Sequence, residues 1–182
     1  MSENKVYPVI CLRGLNMLPD AVIHVDVVRP ISLKAIEAAM SGDQVIFAVM
    51  QIDEEVEEPA REDLYDRGVI CEIKQIVKLT NNVIRMVTKG VKKADIKEIV
   101  STEPYFSATV KPVSDKDDIE DDEHRSAMLK YLKELLTEYE EKSKKLGREA
   151  LRSVERSTDL SVLVNQICGF ISMDPAERQG FL

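Results

Sequence analysis

The chain has 182 residues, 44% of them hydrophobic, enough for one medium domain or two small ones with an interior to bury. Its net charge of -8 opposes the phosphate backbone of nucleic acid, and an aromatic content of 5% with no Trp offers few stacking platforms, so nucleic acid is disfavoured as a main partner. Apolar runs such as Val45-Ile46-Phe47-Ala48-Val49-Met50 fall far short of the roughly 18 residues of a membrane helix, and the start from Met1 to Tyr7 is polar rather than signal-like, so a soluble, cytoplasmic protein is expected.

The first 113 residues read mostly as strands around one helix. A short strand through Val9-Ile10-Cys11-Leu12 runs into Arg13-Gly14 and the apolar loop Leu15-Asn16-Met17-Leu18-Pro19. Val22 to Val28 is β-branched and partly alternating, and Gln44 to Ile52 is an apolar run of strand length. Between them Pro30 suits an early helical position, Leu33, Ile36, Glu37 and Met40 fall at helical spacing, and Ser41-Gly42 supplies the stop. The apolar members of that stripe should lie on the sheet.

Gly68 to Thr80 and Val83 to Val91 flank Asn81-Asn82, a pair that tolerates positive φ, and so predict a hairpin with a two-residue turn. Further strands around Ala94 to Val100 and Tyr105 to Val113 bring the total to about six or seven, which suits a barrel-like sheet.

Composition changes between Pro112 and Asp122, where proline gives way to an acidic run and then to helical periodicity. A boundary there divides the chain into a β-domain of residues 1–113 and a helical domain of residues 114–182. Met128, Leu132, Leu135, Leu136 and Tyr139 repeat at three and four within a long amphipathic helix from Ile119 to Leu146. Gly147 interrupts it. Glu149 to Arg156 forms a second helix, Thr158 or Asp159 caps a third running to Phe170, and Asp174-Pro175 opens a fourth. That last helix has barely two turns before Leu182, which reads as a cut through a longer chain.

Catalytic chemistry finds little support. The seven glycines are scattered singly and no Gly-x-x-x-x-Gly-Lys-Ser/Thr loop occurs, so no phosphate cradle is predicted. Cys11, Cys71 and Cys168 lie far apart with no CxxC, and read as buried free thiols rather than disulfides or zinc ligands. His24 and His124 read as core or surface residues. The run Asp115 to Glu123 invites a calcium reading, but Ile119 and Glu120 stand where an EF-hand needs a ligand and its turn glycine, and acidic residues at a helix start are explained by the helix dipole. The second acidic run, Asp53 to Glu58, reads as a solvated loop. The loop Leu15 to Pro19 is either tucked under the barrel, the simpler reading, or left as an adaptable apolar patch.

The segment Pro8 to Pro19, with Arg29-Pro30-Ile31-Ser32-Leu33-Lys34-Ala35-Ile36-Glu37-Ala38-Ala39, Asp63-Leu64-Tyr65 ahead of Gly68, Ile76-Val77-Lys78-Leu79 and Pro104-Tyr105-Phe106-Ser107-Ala108, resembles in order and spacing the N-terminal domain of Lon proteases. The chain departs from the usual pattern at Cys11, where proline is common, and at His24-Val25-Asp26. The resemblance implies an α+β architecture: a PUA-like, six-stranded β-barrel-like domain with one helix, followed by a truncated α-helical bundle. It further implies a substrate-binding, oligomer-supporting region of a bacterial ATP-dependent protease, with unfolded or damaged proteins as partners.

On that reading the fragment carries no catalytic residue, metal or cofactor. ATP and Mg, and the Ser-Lys peptidase site, belong to absent parts of a homohexameric parent. A free-standing adaptor with no protease attached is the alternative. Candidate substrate-binding residues are Leu15, Met17 and Leu18 in the loop and Arg29, Pro30, Ile31 and Lys34 at the helix start.

Overall fold

The computed structural model describes residues 5–79, 83–114 and 121–182. In chain order these form β1 (Val6–Leu12), β2 (Val22–Val27), α1 (Pro30–Ser41), β3 (Val45–Met50), β4 (Arg67–Lys78), β5 (Ile84–Ser101), β6 (Ser107–Pro112), α2 (Asp122–Ser143), α3 (Gly147–Arg156), α4 (Leu160–Phe170) and α5 (Pro175–Gln179).

The strands follow the order β2-β5-β4-β3-β1-β6, and β6 returns to pair with β5, so five strands close on themselves while β2 lies outside the ring. Closure depends on the length of β5. Its first part pairs with β2 and β4 and its last part with β6, which merges the two strands expected at Val83 to Val91 and Ala94 to Val100 into one. No Pro or Gly separates Val91 from Val100, and register shifts at Ile70/Cys71 and Ile96/Glu98 bend the ribbon enough to turn the corner. The β4–β5 pairing is that of the expected hairpin; its Asn81-Asn82 turn lies outside the described residues.

β1 and β3 pair in parallel, which requires a crossover, and α1 supplies it. Both strands are buried on both faces. Val9, Cys11, Phe47, Val49, Ile70, Phe106 and Val110 form one core cluster. The buried face of α1 is Ser32, Ala35, Ile36 and Ala39, whereas Met40 is exposed. The helix is therefore turned relative to the expected Leu33-Ile36-Met40 stripe. Ala35 and Ala39 admit a close approach to β1 and β3 that larger side chains would block.

A separate compact unit contains α2, α3 and α4, built on Leu136, Val154 and Leu163 with Leu132, Ile167 and Phe170 against them. Asp121 caps α2 by accepting from the Glu123 amide at 3.0 Å, and Asp159 caps α4 by accepting from Val162 at 3.0 Å. Of the periodic residues on α2 only Leu136 is buried; Met128, Leu135 and Tyr139 are exposed.

The expected helical domain of residues 114–182 differs from this division at its end. Residues 174–182 pack with the barrel, which otherwise runs to Ser114. Asp174 caps α5, as its Asp-Pro signal predicts, accepting from Ala176 at 2.8 Å. The tertiary attachment is polar: Gln179 donates to the Arg67 carbonyl at 2.8 Å and Lys93 Nζ to the Phe181 carbonyl at 2.9 Å. Helical periodicity marks such a segment as a helix without marking the surface that receives it.

Candidate functional site

The loop after β1 and the start of α1 meet on one side of the barrel. Gly14 opens the loop at φ +57°, a left-handed conformation that favours glycine at the Arg13-Gly14 step, while the exposed Glu54 carboxylate beside it is free to move. Asn16, Met17 and Leu18 are buried, and only Leu15 among the predicted loop residues is partly exposed. The Leu18-Pro19 backbone crosses β5 at Gly90, fixed by bonds from Asp20 to the Gly90 carbonyl at 3.0 Å and from Gly90 to the Ala21 carbonyl at 2.9 Å. Met17 and Leu18 are 1% and 2% exposed, which removes them from any accessible surface. They anchor the loop instead.

Arg29 precedes Pro30, the first residue of α1, and accepts the Leu33 amide at 3.0 Å through its carbonyl. Its guanidinium turns inward. Nη1 donates to Gln51 Oε1 at 2.8 Å and to the Glu57 carbonyl at 3.4 Å, and Nη2 donates to the Cys11 carbonyl. Buried Gln51 passes the network on, donating to the Val56 carbonyl at 2.9 Å and the Asp53 carbonyl at 3.3 Å, while Arg13 reaches the same Val56 carbonyl at 3.0 Å. Two arginines and a glutamine thus hold the acidic loop by its backbone and leave its carboxylates outward. The loop is solvated, as its charge run predicts, with Asp53, Glu54, Glu55, Glu57 and Glu58 exposed, and its anchor depends on Gln51, a residue with no local sequence signal.

Burial lowers the Arg29 pKa and pushes the neighbouring Cys11 thiol up to about 11, partly offset there by the Arg29 charge. Burial pushes Cys71 to about 12. Both thiols are protonated at neutral pH and unsuited to nucleophilic chemistry. His24 and His124 are exposed. Among the described residues no group of three His, Cys, Asp or Glu is arranged to hold a metal ion; residues 115–120 of the calcium candidate lie outside them. Gly68 and Gly90 lie in paired strands where a Cβ would overlap the Ala48 and Leu18 carbonyl oxygens, so neither opens a nucleotide cradle.

Pro30, Ile31 and Lys34 come together along a surface cleft of about 560 Å³, completed by Thr102, Glu103 and Pro104. Ile31 also packs on the barrel core. A second, smaller groove of about 170 Å³ lies between β1 and β2, where Leu12, Leu15, Val25, Val27 and Val28 flank Arg29. The part β2 plays in this surface has no signal in the sequence. Its β-branched pattern indicates a strand, but not that one edge of that strand is left open.

The sequence profile of the ATP-dependent protease La (LON) substrate-binding domain matches residues 6–182. A Lon protease of Lachnoclostridium phytofermentans is 38% identical over 182 residues, covering 98% of this chain and 22% of the relative. One from Clostridium acetobutylicum is 40% identical over 126 residues, covering 69% of this chain and 16% of that protein. The chain therefore spans about a fifth of the length of such relatives. Among solved structures, the N-terminal domain of a Mycobacterium avium complex Lon protease superposes with a TM-score of 0.74 at 22% identity, covering 96% of this chain and 88% of that one. A Lon N-terminal domain protein from Xanthomonas campestris gives 0.65 at 10% identity, covering 97% and 89%. Both show the same fold.

Proposed function

The chain belongs to the family of Lon protease substrate-binding domains, and on that premise we propose that it captures unfolded or damaged polypeptides for an ATP-dependent protease without itself cutting them. The family match carries this reading. The structure supports it with two accessible grooves on one side of the barrel and with thiols too deeply buried to react.

Contact with substrate falls to Pro30, Ile31 and Lys34 in the cleft and to Leu15 beside the second groove, with Arg29 positioning the surface from below. In the intact protein, several copies held by an ATPase ring would raise the effective concentration of weak sites. ATP and Mg, a Ser-Lys peptidase centre and homohexamer assembly belong to that larger protein, in the bacterial cytoplasm. No helix among the described residues is long and apolar enough to cross a membrane.

A single copy lacks that avidity, so its affinity for an unfolded protein should be about micromolar or weaker, about -8 kcal/mol at best. The test is a titration with unfolded casein at low and high salt, mapped by amide chemical shifts. Binding that persists in salt and maps to Leu15 and residues 30–34 is expected. Binding lost at moderate salt, or mapped only to Asp53–Glu58, overturns apolar capture.

A further inference from the structure

We propose that the free edge of β2 binds an extended segment of the unfolded polypeptide as an added strand, with alternate apolar side chains of that segment in the groove between β2 and β1. This rests on the polypeptide-binding reading and specifies its mode.

β2 pairs only with β5, in an unbroken register from Val22↔Lys89 to Val27↔Ile84. Gly90 donates to the Ala21 carbonyl, so antiparallel alternation turns the backbone groups of Ile23, Val25 and Val27 toward β5 and those of Val22, His24 and Asp26 away from it. Among the described residues, no backbone or side-chain group bonds to those outward amides and carbonyls. An extended main chain has the complementary donors and acceptors at the same repeat.

Exposed edges are ordinarily blunted by proline, lysine, a bulge or a covering element. Residues 22–27 contain neither Pro nor Lys, their one carboxylate, Asp26, is tied to Arg85 of β5, and the β2–β5 pairing has no bulge, unlike β4–β5 and β5–β6. The groove beside the edge is lined by apolar Leu12, Leu15, Val25 and Val27, which suits alternate side chains of an added strand.

Charge selects the occupant. Arg13 and Arg29 line the groove, and each keeps its charge while it holds neutral backbone carbonyls of the acidic loop. The chain as a whole carries -8. Net repulsion disfavours a second copy of the same acidic chain, whereas an extended apolar segment of an unfolded polypeptide carries no such penalty and matches the apolar lining of the groove.

The experiment uses the whole chain and a peptide of about ten residues alternating Val with Thr and ending in Lys, with two analogues N-methylated on one or the other alternate set of amides. Amide exchange is followed at Val22, His24 and Asp26. Peptide binding should slow these three amides, and one methylated analogue should bind at least about tenfold more weakly while the other stays within about twofold. His24→Pro, which removes one outward donor without removing a bond to β5, should weaken binding similarly. If the peptide and unfolded casein bind but neither methylation pattern matters and these amides stay unprotected, strand addition is wrong while polypeptide capture stands. If neither ligand binds, both readings fail. Protection that rises with protein concentration alone assigns the edge to a second copy and overturns the proposal.

Discussion

The carbonyl oxygen of Leu18 sits where a Cβ on Gly90 would have to be, so the loop and β5 approach as closely as two backbones can. Gly90→Ala must push the loop off the strand or distort β5. It should destabilise the barrel by at least about 2 kcal/mol, read from amide exchange of the barrel strands. Gly169 supplies the contrast: it lies in α4 with open space for at least 4 Å around the place a Cβ would occupy, so Gly169→Ala should stabilise the helical unit by about 0.5–1 kcal/mol. Equal effects at the two positions would show that the close approach does not matter.

Beside that contact lies Asn16, buried at 3% exposure with neither its amide nitrogen nor its oxygen bonded to another group among the described residues. Asn16→Leu, close in shape and free of desolvation cost, should leave the protein as stable or raise it by about 1 kcal/mol in urea denaturation. Met17→Ala next to it should cost about 2–4 kcal/mol. A loss of more than about 1 kcal/mol on Asn16→Leu would show that the amide has a partner.

These neighbours show what was legible in the sequence. The Arg-Gly turn, the proline closing the loop and the β-branched strands locate each element, because turn chemistry and side-chain alternation act locally. Whether Met17 faces solvent or β5 depends on Gly90, far away in the chain, and no local pattern encodes that meeting. The same holds for Arg29. It stands among the candidate contact residues at the helix start, but its partners Gln51 and the Cys11 carbonyl come from the end of β3 and from β1, so it acts as a clasp. Ile31, Pro30 and Lys34 share a cleft because they lie on one helical turn, whereas Thr102 to Pro104 join them only through the tertiary fold.

The Arg29 clasp predicts a local consequence. Arg29→Ala leaves the Gln51 amide oxygen and the Cys11 carbonyl without that donor, and should cost about 2–3 kcal/mol while speeding amide exchange through the Asp53–Glu58 loop. Arg29→Lys should rescue little, because a single ammonium cannot span both acceptors in the geometry of the guanidinium fork. Full rescue by lysine would reduce the clasp to a point charge.

The buried thiols predict a dependence at high pH. Cys11 and Cys71 titrate near 11 and 12 in the folded protein against 9.0 when free, so the unfolded chain loses these protons first. Stability from this source is fully present below pH 9 and falls as pH rises from there through 11 to 12. Denaturation midpoints should drop across that window, and Cys71→Ala should flatten part of the slope while costing some stability at neutral pH. At neutral pH the native thiols should ignore a disulfide reagent that labels the urea-unfolded chain at once. Rapid native labelling at Cys11 or Cys71 contradicts their burial.

The last prediction concerns α5. Five residues of helix have no stability of their own, so whatever order Pro175–Gln179 possesses comes from its cap and from the barrel. The barrel side is specific: Arg67 holds Asp95 with Nε and Nη2 at 2.6 and 3.1 Å, and turns Nη1 to the Leu182 carbonyl at 3.0 Å, while its own carbonyl accepts from Gln179. Gln179→Ala removes one side-chain bond by which α5 reaches this network. The amides from Arg178 to Leu182 should then exchange faster, while β4 and β5 keep their protection. Arg67→Ala should release the same segment and also weaken the acid side of the stability profile. Asp95 is held below its usual pKa chiefly by the Arg67 hydrogen bond, so its contribution is present above the ordinary aspartate range and lost as pH falls through the lowered value. If the segment stays protected in both variants, its docking rests on the burial of Leu182 rather than on these bonds.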